Sequence, residues 1–183
     1  KDSANRTSFT IGGKDMGNIL HIIDQRVARM DSLEIINEMF SIQAAHSPEM
    51  FFVENGQIWK SIEPMLVQEM LRRDVFINYT VLTPISDKKS RGRSFQKRHR
   101  AGGMRFDREA EWYEEYEDEL LRFTGDAEAL LDDQFDSTAI LCLGMEKAPD
   151  TEEEDAQSDE EKEFEAEART YEHRSGRSQV TGY

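Results

Sequence analysis

The sequence predicts an α/β fold, a mixed β-sheet with helices on its faces, followed by an acidic tail. Three observations predict it. Up to about residue 145, segments of strand character alternate with segments of helical apolar period. One strand, Met50-Phe51-Phe52-Val53, is a continuous apolar run, the pattern of a strand buried between helices. From Asp150 to Tyr183 there are 12 Asp or Glu against four Lys or Arg, more than half of the chain's net charge of −15. The large apolar residues of that stretch, Phe164, Tyr171, Val180 and Tyr183, are too few to offset the entropy of ordering it, so it reads as disordered or loosely helical. The division is a domain over residues 1–149 and an acidic low-complexity tail over 150–183.

Residues 8–12 and 18–27 read as two strands of a hairpin around a Gly12-Gly13-Lys14-Asp15 turn. Asp31-Ser32 offers an N-cap to a helix in which Leu33, Ile36, Phe40 and Ala44 recur, with Pro48 as its stop. The strand at 50–53 ends on Glu54-Asn55-Gly56. Ile58, Ile62, Leu66 and Met70 set up a second helix, with Pro64 tolerated or bending it. Residues 75–82 read as a strand closed by Thr83-Pro84. Residues 87–100 have the length of a helix or long arm, ended by Gly102-Gly103, and Met104-Arg105-Phe106 is a brief extended piece. Residues 109–123 form an acidic amphipathic helix with Trp112, Tyr116, Leu120 and Phe123 inward, broken at Gly125-Asp126. A last, mostly apolar helix covers 127–145.

The mean hydropathy of −0.74 averages two unlike parts, and residues 1–149 carry enough Ile, Leu, Met, Phe and Trp for one core. No apolar run approaches the roughly 20 residues of a membrane span, and no signal-peptide pattern opens the chain, which reads as cytosolic. The single cysteine, Cys142, lies in an apolar stretch and reads as a buried thiol, which excludes a disulfide or a cysteine–zinc site. His21, His46, His99 and His173 share no ligand spacing; the first two read as structural, and His99 falls in a basic segment. That segment concentrates Lys88, Lys89, Arg91, Arg93, Lys97, Arg98, Arg100 and Arg105 on an otherwise acidic chain, the local footprint of a phosphate-binding surface.

Two acidic features bear on chemistry. Glu54 follows four apolar residues at the C-terminal end of a predicted central strand, the edge where open α/β sheets place their sites; Glu-Asn-Gly is also ordinary turn chemistry. Asp132, Asp133 and Asp136 fall within one helical turn amid Leu130, Leu131, Phe135, Ala139 and Ile140. Three crowded carboxylates repel unless a cation neutralises them, although an Asp at a helix start is favoured by the dipole. A strand-end Glu with helical Asp residues suits Mg²⁺ or Mn²⁺, and a pair of such ions can drive phosphodiester hydrolysis while the basic segment holds the phosphates.

Phe52-Val53-Glu54-Asn55-Gly56, the strand into Thr83-Pro84, Ser86-Asp87-Lys88-Lys89-Ser90-Arg91, Ala101-Gly102-Gly103 and Leu131-Asp132-Asp133-Gln134-Phe135-Asp136-Ser137 come in a recognisable order. Over residues 3–145 the chain resembles the C-terminal nuclease domain of a tailed-bacteriophage terminase large subunit, the protein of the DNA-packaging motor. The resemblance implies an RNase H-like fold, Mg²⁺ or Mn²⁺, and a two-metal endonuclease that cuts concatemeric double-stranded DNA at the start and end of packaging. It implies as partners the terminase ATPase domain, the portal and the small terminase subunit, at the procapsid motor in the host cytoplasm.

Residue by residue, Glu54 matches the family's second acid, Asp132, Asp133 and Asp136 match the third acidic position, and Lys88, Lys89 and Arg91 match its basic segment. Asp133 and Asp136 are favoured by sharing a face; Arg93, Lys97, Arg98 and Arg100 extend the DNA-binding stretch. The family's first metal-binding Asp ends a strand ahead of residues 8–12. That strand and its Asp are expected to be missing from a chain truncated at its N-terminus, which leaves the fragment's own cutting in question. Asp2 reads as a loop residue, and no G-x-x-x-x-G-K-[ST] motif of the ATPase half occurs. The alternatives are a packaging or portal-docking module that does not cut, or another RNase H-like nuclease such as a resolvase. The tail reads either as a portal-binding segment or as a solubilising one.

Overall fold

The structure is a computed structural model and describes residues 6–83, 90, 92–123 and 132–147. Asp2, Pro84, Lys88, Lys89, Arg91, Leu130, Leu131, His173 and the acidic tail lie outside the described residues. The described part is mixed α/β, with small sheets flanked by helices.

β1 (Thr7–Lys14) and β2 (Leu20–Ala28) form the expected antiparallel hairpin, but β1 runs straight through Gly12 and Gly13. The turn lies later because Asp15 builds it. Its Oδ1 accepts from the backbone N–H groups of Gly17 and Ile19, and Asn18 takes the left-handed conformation at φ 58°. A bulge falls where the register shifts between Ile11/Asp24 and Gly12/Ile22. A Cβ on Gly12 would lie 2.9 Å from the His21 carbonyl oxygen, so glycine is required at that close approach.

α1 (Ser32–His46) starts on a full capping box. The Asp31 side chain accepts from the N–H of Leu33 and Glu34, and Glu34 reaches back to the Asp31 N–H. Its buried face is Ile35, Ile36, Met39, Phe40 and Ile42, while Leu33 is exposed. β3 (Phe51–Glu54), α2 (Gln57–Arg73) and β4 (Tyr79–Leu82) form a parallel crossover unit, with Glu54 opposite Leu82. Pro64 sits inside α2. Residues 75–78 are not strand, which shortens the strand expected over 75–82; instead the Ile77 N–H donates to Met70 Sδ, turning the chain in from α2. The basic segment gives α3 (Arg93–Arg100), followed by β5 (Met104–Phe106), which pairs parallel with β2. α4 (Tyr113–Arg122) and α5 (Asp133–Lys147) complete the order.

Strand order is β1-β2-β5 in one sheet and β3-β4 in the other. Both sheets feed the same two cores. Ile11 and Phe51 point to a core built with α1 and α2, whereas Leu20, Ile22 and Phe52 point to one built with α3 and α5. Alternate side chains of a strand face opposite ways, so the two sheets form one layer between two layers of helices. No described helix is long and apolar enough to cross a membrane. Cys142 is a fully buried free thiol, and burial pushes its pKa up to about 12.

Candidate metal and nucleic-acid site

The start of α5 is built from four elements. Asp132 precedes the helix and its carbonyl accepts the first helical bond, from the Asp136 N–H. Asp133 and Asp136 both lie in the first turn, where the macrodipole favours a carboxylate. The cap itself comes from elsewhere. Glu119 of α4, 5% exposed, accepts from the backbone N–H of Gln134 at 2.6 Å and of Phe135 at 3.2 Å, and from Gln134 Nε2 at 2.9 Å. A carboxylate from a neighbouring helix thus satisfies two of the orphan donors that a local Ser or Asp usually serves.

Arg6, at the foot of β1, supplies the counter-charge. Its guanidinium reaches Glu119 at 2.7 Å, Glu115 at 2.8 Å and Asp133 at 3.4 Å. Burial pushes the Asp133 carboxyl above the ordinary aspartate range, and the Arg6 hydrogen bond only partly pulls it back. Crowding of acids at α5 is therefore met first by an arginine of the same chain.

Glu54 is half-buried at the end of β3, at the strand edge where its sequence placed it, and lines the same cleft as Arg6 and Ser137. A row of hydroxyls joins β1 to α5 and α4: Ser8 and Thr10 meet Ser137 Oγ at 2.9 and 2.7 Å, and Thr138 bonds Thr10 and the buried Tyr116 hydroxyl. Burial also raises the Tyr116 pKa well above the usual phenol range. Among the described residues, no three His, Cys, Asp or Glu side chains are gathered as a group able to hold a metal ion. Glu54, Asp132, Asp133 and Asp136 are thus four candidate ligands at two walls, Glu54 on β3 and the aspartates at α5. Asp133 faces Arg6.

Of the basic stretch, Arg93, Lys97 and Arg100 are exposed along α3, and Phe95 anchors the helix by packing against Phe135. Arg98 is turned to structure, donating to the Asn18 carbonyl at 2.9 Å, and Arg105 bonds the carbonyls of Gly102 and Met104. His99 is exposed, with its ring between Phe95 and Phe106. His21 pairs with Asp15, and His46 with Asp24, as structural histidines do.

Sequence reasoning missed Arg6, Glu119 and the hydroxyl row. Glu119 carried a signal: it falls three residues after Tyr116, on the inward face of α4, where an acid requires a partner. Comparison with family models, with curated proteins and with solved structures finds no match.

Proposed function

We propose that this chain is the metal-dependent endonuclease domain of a viral DNA-packaging terminase, with an RNase H-like sheet, that cuts concatemeric double-stranded DNA. The observation that carries the reading is the position of Glu54, at the C-terminal end of a strand in a parallel β–α–β unit, lining one cleft with Ser137 in the acid-bearing first turns of α5. Carboxylate oxygens of Glu54 with Asp136, Asp133 or Asp132 suit Mg²⁺ or Mn²⁺, which would supply an activated water and stabilise the leaving oxygen. The chain's own residues orient those acids: β3 fixes Glu54, Glu119 and Arg6 fix α5, and exposed Arg93, Lys97 and Arg100 offer charge to the phosphate backbone. The ATPase domain, portal and small terminase subunit are the partners this reading entails, at the procapsid motor in the host cytoplasm.

A second reading, a packaging or docking module that does not cut, is favoured by one observation: Asp133 is held by Arg6. Conversion of supercoiled plasmid to open and linear forms with Mn²⁺ separates the two. Metal-dependent cutting that Glu54→Ala abolishes supports the nuclease. Cutting unchanged by Glu54→Ala removes this site, and no cutting by a folded chain favours the docking module.

A further inference from the structure

α2 carries two apolar stripes. Trp59, Ile62, Leu66 and Met70 face the core with α1 and β3. The second stripe faces solvent and consists of Pro64, Val67 and Leu71, the last two 40% and 68% exposed. Lys60 and Asp74, both exposed, continue its line at either end. Lys60, Pro64, Val67, Leu71 and Asp74 fall at alternating intervals of four and three residues, the 3.5-residue period with which one helix lays a seam along another. Val75 and Phe76, exposed just past the cap, lengthen the apolar surface. Single exposed apolar residues are ordinary, whereas three in one line bounded by opposite charges make a docking face.

The charges say what fits that face. Elsewhere on α2 the charged groups are answered within the chain: Glu69 pairs with Arg72 and Arg73, and Glu63 accepts from the Tyr79 hydroxyl. Among the described residues Lys60 and Asp74 have no such partner. They stand seven residues to either side of Val67, about 21 Å apart along the helix. A basic end and an acidic end, equally far from an apolar centre, complement the same face turned end for end.

We propose that α2 pairs with α2 of a second copy of this chain, antiparallel, about a two-fold axis at Val67. In that arrangement Val67 meets the partner's Val67, Pro64 packs beside the partner's Leu71, and Lys60 meets the partner's Asp74 at both ends. A parallel pair would set Lys60 against Lys60 and Asp74 against Asp74, so the charge pattern selects the antiparallel one. The pairing is isologous, one face serving both copies, and it closes at two. Two heptads of seam stand at the low end of specific interfaces, so the dimer is reversible and forms with rising concentration.

The pairing stands on the face of α2 and not on the nuclease reading, and its test involves neither metal nor DNA. Sedimentation equilibrium of the 183-residue chain, up to about 1 mM, is expected to show monomer and dimer in exchange. Leu71→Ser is expected to weaken association about tenfold or more. Lys60→Glu, which sets like charges together at both ends, is expected to do the same, and Lys60→Glu combined with Asp74→Lys to restore pairing to within about threefold. Because Asp74 caps α2 in the left-handed conformation, at φ 52°, the orientation is also read without changing it. Val67→Cys, at the axis, is expected to form a disulfide dimer on mild oxidation, and Lys60→Cys, about 21 Å from the same position of the partner, is not. Cys142 is buried and does not compete. A monomer at every concentration, a dimer that Leu71→Ser or Lys60→Glu leaves unchanged, a folded double variant that fails to pair, or cross-linking as ready through Lys60→Cys as through Val67→Cys overturns the proposal.

Discussion

Glu119→Ala is expected to be among the most damaging single changes in the molecule. The Glu119 side chain is 3% exposed and takes four hydrogen bonds, from Arg6, the Gln134 side chain and the backbone N–H groups of Gln134 and Phe135. Truncation leaves a largely buried guanidinium short of its best partner and two helix N–H donors without an acceptor. Breaking a buried ion pair from one side costs about 3–5 kcal/mol, and loss of a cap about 1 kcal/mol of comparable origin. Because these overlap, about 4 kcal/mol is the expected loss, a large part of an ordinary domain's 5–15 kcal/mol or so. With a urea slope of about 2 kcal/mol per M, the unfolding midpoint falls by about 2 M. Arg6→Ala removes the same ion pair, so the double variant should lose clearly less than the two single losses added together. A midpoint shift for Glu119→Ala worth under about 1 kcal/mol, or strict additivity with Arg6→Ala, would refute the clamp.

Gly144→Ala gains about 1 kcal/mol of helix propensity, but its Cβ would fall 2.2 Å from Phe52 Cγ, so a net loss of about 1–2 kcal/mol is expected in the same urea titration. The Asp24 carboxyl is disfavoured by burial, yet hydrogen bonds from Arg26 and His46 outweigh this and hold it below the ordinary aspartate range. The sign for a lowered acid is stability present above about pH 4 and lost as pH falls through the folded value; carboxyl NMR should show the low midpoint, and Asp24→Asn should flatten that acid limb. Reversing Lys97 and Arg100 to Glu should weaken DNA binding across unrelated sequences and reduce the salt slope by about 1 for each phosphate no longer neutralised, measured by fluorescence anisotropy.

Much of the fold was legible because its signals are local. The Asp31 box, the apolar run ending on Glu54 and the Tyr116 period each depend on neighbours within a few residues; the first two elements formed where their patterns stand, whereas the helix expected over 109–123 covers only Tyr113–Arg122, with Trp112 as its N-cap. What escaped was set either by a competing local bond or by a partner far along the chain. The turn after β1 moved because Asp15 bonds Gly17 and Ile19, outcompeting a Gly-Gly signal. Residues 75–78 have strand composition but follow α2 into a turn held by Met70. The acidic cluster was legible as a group, whereas its balance was not: Asp133 is answered by Arg6, 127 positions away, and the helix is capped by Glu119 from α4. Spacing shows which carboxylates are near one another, not which cation meets them first.

The central claim is that Glu54 and the aspartates of α5 share a divalent metal, and paramagnetic Mn²⁺ tests it without requiring turnover. Substoichiometric Mn²⁺ added to the isotopically labelled chain is predicted to broaden the amides around Glu54 and residues 132–137 together, and Glu54→Ala is predicted to remove that broadening. Broadening confined to the exposed acids of α4, or left unchanged by Glu54→Ala, would contradict it.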